Sequence, residues 1–165
     1  MRLELVEQWL NSTKYEELLT TRLIINQEAS ENILKRYEVI EKCMDGSDGI
    51  IYFIENFCWV FEPRFNSKPN LEFFLFDYQK EIIRDMYDAE MYGEDRLYEK
   101  SRDMGFSWMT SVYSLHRWLF NKGWIGLYGS RKQEEVDNKT INSFFGKLRY
   151  NYYKLPKWLL PPDLS

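Results

Sequence analysis

Cysteine is scarce: Cys43 and Cys58 stand without a CxxC pair or a histidine-bearing cluster. That argues against a disulfide framework or a zinc module and leaves two free thiols of a reducing compartment, read as core-filling residues. Histidine is scarcer still. His116 has no carboxylate or serine partner in sequence reach and reads as a surface or packing residue rather than a catalyst. No run approaches the roughly 20 apolar residues of a membrane span, and Met1 to Leu10 carries Glu4 and Glu7 without an apolar stretch, so neither a membrane helix nor a signal peptide is expected and the chain is placed in the cytoplasm. An excess of positive charge is missing too. The net charge is −4, so any contact with nucleic acid has to come from a local patch. No internal repeat or low-complexity segment is visible.

What the chain does have is aromatic side chains, 18% of its residues within a hydrophobic total of 44%. That is enough for a packed core, although aromatics serve cores, interfaces and base stacking alike. Residues 1–45 read as helices, with Leu3, Val6 and Leu10 and then Ile33, Tyr37, Ile40 and Met44 at helical spacing. Thr13 and Glu16 fit a capping box. Asp45 to Gly49 is a turn-forming break, which sets a soft boundary between a helical lead-in (1–49) and a second domain (50–165).

Beyond the boundary the chain is aromatic and less regular through Phe61, and Pro63 to Pro69 marks a loop. Leu71 to Phe76 is expected to be extended, and Tyr78 to Tyr87 to form a helix that stops before Gly93. Arg96 to Lys100 is read as a short strand and Ser107 to Phe120 as a helix closed by Gly123. Trp124 to Tyr128 then reads as a buried strand and Val136 to Leu148 as a third helix, with Pro156, Pro161 and Pro162 closing the chain. Strand, loop, helix, strand, helix is the opening of an α/β parallel sheet.

The chemistry is concentrated in Lys100-Ser101-Arg102-Asp103-Met104-Gly105-Phe106-Ser107, between the expected strand and helix. A phosphate loop needs inward backbone N–H groups at a helix N-terminus, a cation for the phosphates and a hydroxyl for magnesium. Gly105 and Ser107 sit where the last glycine and the hydroxyl of G-x-x-x-x-G-K-[ST] belong. Phe106 stands where that pattern has lysine; Lys100 and Arg102 are the cations that remain. Taken alone, K-x-x-x-x-G-x-S is common by chance, and its plain alternative is a polar turn capped by Ser107. Upstream, Asp77-Tyr78-Gln79 opens a helix where an amide can pair with an adenine edge, or simply be a solvated first-turn residue.

The succession of landmarks resembles the N-terminal part of the large subunit of tailed-phage terminases. It runs from Tyr52-Phe53-Ile54 to Pro63, through Leu71 to Phe76 and Tyr78-Gln79, to a deviant Walker A loop at Lys100 to Ser107 and then Gly129 to Asp137. The resemblance covers residues 50–162. It implies an ASCE-type (RecA-like) P-loop ATPase that uses ATP and Mg²⁺ to drive double-stranded DNA into a procapsid in the host cytoplasm, working with a small terminase subunit and a portal protein. It also implies that Gln79 reads adenine, that Lys100 and Arg102 are the catalytic cations within a nucleotide-binding loop of residues 100–107, and that Ser107 holds the metal. Which of the two cations is essential stays open. No apolar strand ending in Asp-Glu follows, so on this resemblance the chain is expected to stop before Walker B and to hydrolyse ATP weakly by itself. A helicase-like ATPase of another superfamily and a non-catalytic interaction module are the alternatives. Phe106 counts against the helicase.

Two basic features are separate from the loop. Lys139, Lys147, Arg149, Lys154 and Lys157, interleaved with aromatics, suit either nucleic-acid backbone contact or a solvated face whose rings pack inward. Arg131 and Lys132 suit DNA tracking or a helix-start salt bridge equally well.

Overall fold

The computed structural model describes residues 3–65 and 68–161. Pro162, residues 66–67 of the Pro63–Pro69 loop and the side chain of Leu3 in the first apolar stripe lie outside the described residues. Three helices, α1 (Leu3–Leu10), α2 (Thr13–Glu31) and α3 (Ile33–Cys43), occupy the expected helical region. The cap of α2 is Ser12 rather than Thr13, because the extended backbone of Ser12 lets its hydroxyl accept the Tyr15 N–H at 3.3 Å. Asn32 both ends α2 and caps α3, its Oδ1 accepting the Leu34 N–H at 2.9 Å.

The expected break at Asp45–Gly49 is shorter than its composition suggests. Only Met44 and Asp45 interrupt the helix, and α4 (Gly46–Phe57) begins inside the glycine-rich stretch. Gly49 is required there, since a Cβ would lie 2.5 Å from the Cys43 carbonyl oxygen, and its absence lets α4 pack against the end of α3. Ile50, Phe53, Ile54 and Phe57 of α4 are consequently among the most deeply buried residues of the molecule. They share one hydrophobic cluster with Val6, Ala29, Val39 and Cys43 from the lead-in and with Ile83, Met109, Val112 and Leu115 from the helices that follow. Each fully buried large apolar side chain contributes about 1.5–3 kcal/mol.

After α4 come two short antiparallel strands, β1 (Trp59–Phe61) and β2 (Asn70–Glu72), paired in the register Trp59 to Glu72, Val60 to Leu71 and Phe61 to Asn70. Next are α5 (Asp77–Tyr92), stopped by left-handed Gly93, and α6 (Phe106–Phe120). The single helix expected from Val136 to Leu148 is instead two, α7 (Gln133–Val136) and α8 (Phe144–Tyr152). Between them, side-chain turns by Asp137 and Asn138 and a left-handed Lys139 divert the backbone, and Ser143 caps α8.

The molecule is mostly helical, 61% of residues, with a two-stranded antiparallel sheet. This corrects the expected parallel sheet: among the described residues, neither Arg96–Lys100 nor Trp124–Tyr128 is a strand. The reason is a missing neighbour, since a strand needs a ladder partner for its N–H and C=O groups and these two runs lie beside none. Arg96 and Tyr98 are held by α5 instead, through Asp85 at 3.0 and 2.5 Å. Tyr128 stacks on Phe144 with centroids 4.1 Å apart and shares a hydrogen bond with Ser114. The apolar side chains of these runs are left bare, with Leu97, Ile125 and Leu127 at least 90% exposed.

Polar ties lock the helices together. Arg117 of α6 grips Glu90 of α5 through two nitrogens at 2.9 and 2.7 Å, and Tyr113 donates to the same carboxylate. Buried Asn151 of α8 pairs with the edge of β1, accepting the Trp59 N–H at 2.7 Å and donating to the Trp59 carbonyl at 3.1 Å. His116 is 1% exposed, its Nε2 bonded to the Cys43 carbonyl at 2.7 Å and its ring packed on Phe53 and Phe120. Both cysteines are free and buried, and burial pushes the Cys43 thiol up to about 12.

Candidate phosphate-binding site

The loop Lys100–Ser107 leads directly into the N-terminus of α6. Gly105 is the residue before that helix and adopts the left-handed conformation, φ 75°, which glycine enters without steric cost. A Cβ on it would also sit 2.8 Å from Gln79 Nε2, so two independent constraints select glycine here. Asp103 is left-handed as well, φ 62°, as short polar residues tolerate. With glycine in the cap position, no side chain caps α6, and the first-turn N–H groups that lack intrahelical partners are left for a ligand or water.

Gln79 is the anchor of the loop. It is fully buried, its Nε2 donates to the Met104 carbonyl at 3.0 Å, and its Oε1 accepts the Phe76 N–H at 3.0 Å. Tyr78 donates to the same Met104 carbonyl at 3.2 Å. The Tyr-Gln pair therefore meets the loop backbone, and each end of the Gln79 amide carries one hydrogen bond within the protein. On the other side, Phe106 packs on Tyr98 with centroids 5.4 Å apart.

Lys100, Arg102, Asp103, Gly105, Phe106 and Ser107 line a cavity of about 350 Å³. Met104 completes the motif's share of the wall, and the rest comes from parts of the chain that the motif does not include: Glu62 and Arg64 after β1, Trp108 of α6, and Lys147 of α8. Four cations thus face two carboxylates in a protein whose net charge is −4. Their states differ. Arg64 forms a two-point pair with Glu62 at 2.7 and 2.6 Å, which holds the buried Glu62 carboxyl below its usual range. Lys147 is half-buried, donates to the Asn142 carbonyl at 3.0 Å and lies 5.6 Å from the Trp108 ring, and burial lowers its pKa. Lys100 and Arg102 are exposed and enter no ion pair among the described residues. Two committed and two uncommitted cations around an uncapped helix start make a site of positive potential with room for a phosphate chain.

The fit to magnesium rests on oxygen donors. The exposed Ser107 hydroxyl and the Asp103 carboxylate line the same cavity, the hard-ligand type that Mg²⁺ prefers. No group of three or more His, Cys, Asp or Glu side chains converges among the described residues, so most of a magnesium shell would be phosphate and water.

The basic C-terminal run does not form one face. Lys147 joins the loop cavity, Arg149 pairs with Asp137 at 2.5 Å, and Lys154 lies 4.6 Å from the Trp59 ring. Arg131 and Lys132 are exposed beside α7 and make no salt bridge among the described residues. The contributions of Arg64 and Lys147 to the loop cavity were not legible from spacing, because both arrive through tertiary packing. No helix among the described residues is long and apolar enough to cross a membrane. No protein-family model, no curated protein and no solved structure matches this chain.

Proposed function

We propose that the chain binds the phosphates of ATP, with Mg²⁺, in the cavity at the start of α6, and that it is the nucleotide-binding portion of a DNA-packaging motor of the terminase large-subunit kind. The observation that carries the nucleotide reading is the convergence of Arg64, Lys100, Arg102 and Lys147 on an uncapped, glycine-led helix N-terminus. In this reading Lys100 and Arg102, which have no carboxylate to leave, contact the phosphates. Ser107 and the phosphate oxygens hold the metal, and Gln79 acts by fixing the loop backbone from behind. Hydrolysis would also require an acidic residue that activates water for attack on the γ-phosphate. Double-stranded DNA, a small terminase subunit and a portal protein are the partners of this reading.

Calorimetric titration with Mg·ATP tests it, alongside Lys100→Ala, Arg102→Ala and Ser107→Ala variants shown to melt like the parent. Saturable binding that falls about tenfold on losing either cation supports the site, the size expected for one charge-assisted phosphate contact. Binding untouched by all three variants, or no binding, favours the interaction-module reading, for which exposed Leu97, Ile125 and Leu127 are the supporting observation.

A further inference from the structure

A second cavity, of about 560 Å³, opens between α2, the start of β1 and the chain that follows α8. Its wall holds three cations, Arg22, Lys68 and Lys154, and one carboxylate, Glu72. Glu72 is already committed: Lys68 donates to it at 2.9 Å and Tyr15 at 2.5 Å. Burial alone would raise its pKa, and those two hydrogen bonds hold it below the ordinary value. Arg22 and Lys154 feel the Glu72 charge but form no salt bridge with a carboxylate among the described residues.

Both address the same ring. The Arg22 guanidinium carbon lies 4.8 Å and the Lys154 ammonium 4.6 Å from the Trp59 ring centroid. Arg22 is only 6% exposed, and one of its nitrogens supplies its protein hydrogen bonds, to the carbonyls of Glu55 and Cys58, each at 3.0 Å. Burial lowers the pKa of Arg22 and of Lys154; the Glu72 charge opposes the shift at both, and the neighbouring Arg22 charge adds to it at Lys154. A guanidinium withdrawn from water beside two other cations, with the single carboxylate of the cavity already hydrogen-bonded to Lys68 and Tyr15, is an unfavourable arrangement that a bound anion relieves. Asn56 lies on the same wall, 6% exposed; its Nδ2 donates to the Tyr52 carbonyl and its Oδ1 has no hydrogen-bond partner among the described residues. Apart from Asn26, the rest of the lining is apolar, from Leu19, Leu23, Phe57 and Pro156.

We propose that this cavity binds a small organic anion, a carboxylate or phosphate monoester with an apolar body. Its head lies between Arg22 and Lys154 over Trp59, and its body runs along Leu19, Leu23 and Pro156. The volume falls within the roughly 300–1,000 Å³ of small-molecule sites, and an apolar lining with a few convergent polar groups is their usual chemistry. The site shares no residue with the loop cavity and does not depend on the nucleotide reading.

Amide and indole NMR spectra of the intact chain, titrated with hexanoate, hexyl phosphate and neutral 1-hexanol, test the proposal. At least one anion is expected to saturate while shifting the Trp59 indole and the Arg22, Asn56 and Lys154 signals, with hexanol about tenfold weaker. The tighter of the two anions identifies the head group. Lys154→Met is expected to weaken binding about tenfold, while Lys154→Arg, which retains the charge, keeps it. Leu23→Trp, placed on an exposed rim and so compatible with folding, is expected to obstruct the apolar end. No shift at these residues under conditions that saturate a Kd of about 1 mM overturns the proposal. So does hexanol binding as well as the anions, or indifference to Lys154→Met. Hexyl phosphate shifts confined to Lys100–Ser107 overturn it too, while leaving the nucleotide reading intact.

Discussion

Helix α6 and the run Trp124–Tyr128 are neighbours in sequence, both rich in apolar residues, with opposite fates. In α6 the buried positions Met109, Val112 and Leu115 meet α4 and join the central cluster, while its backbone is satisfied within the helix. Trp124–Tyr128 has no such internal solution. Its polar backbone needs another strand, none lies alongside, and Ile125 and Leu127 stand 90% and 98% exposed. A helix carries its hydrogen bonds with it, whereas a strand borrows them from a neighbour, so apolar content alone does not decide which run enters a core.

The sharpest test of this contrast is removal of side chains from each region. Phe53→Ala, at the centre of the α4 core, is expected to cost about 3–5 kcal/mol in urea unfolding. A loss under about 1 kcal/mol would show that the core is far looser than its burial indicates. Next in size is a pH effect confined to the packed region. Burial lowers the His116 pKa from 6.5 to about 4, so the folded protein keeps the ring neutral while the unfolded chain takes up a proton as the pH falls. The stabilisation is complete above about pH 6.5 and is lost progressively down to about pH 4, amounting to about 3 kcal/mol at about 1.4 kcal/mol per pH unit. His116→Gln, compared with the parent by chemical denaturation at pH 7.5 and 4.5, should flatten that part of the profile.

Gly105→Ala comes third. A side chain at a left-handed position costs about 1–2 kcal/mol, and here it also presses on Gln79. The expected outcome is a modest fall in melting temperature with a larger loss of Mg·ATP affinity, because the loop moves while the core does not. At the small end, Ile125→Ser and Leu127→Ser are expected to change stability by less than about 0.5 kcal/mol, as exposed positions do. A large destabilisation by either would mean that the segment is packed in solution and would erase the contrast with α6.

The parts of the fold that could be read from residue order are those whose signals are local. Tyr78, Ile82, Ile83 and Met86 mark α5, Gly93 its end, and Trp108, Val112 and Leu115 mark α6, all at helical spacing with nearby stops. The Asp45–Gly49 break misleads for a tertiary reason: Gly49 is where the backbones of α3 and α4 touch, not where the helix ends. The loop Lys100–Ser107 is visible in sequence because glycine and serine spacing encode a turn into a helix. Arg64 and Lys147 are not, since they reach the same cavity from after β1 and from α8. Gln79 was visible as a notable residue, but its contact was not. Only the fold brings its amide within 3.0 Å of the Met104 carbonyl.

By itself the sequence determined the helical lead-in, α5 and α6, the glycine stops, the free buried thiols and the position of the cation-bearing loop, because each follows from spacing or from the conformational limits of single residues. The tertiary structure alone decided which apolar runs are buried, that Trp124–Tyr128 is not a strand, and which distant cations share a cavity. It also decided that Arg22 and Lys154 meet over Trp59. Those outcomes depend on neighbours that no local pattern specifies: a ladder partner for a strand, a counter-ion for a charge, and a facing helix for an apolar stripe.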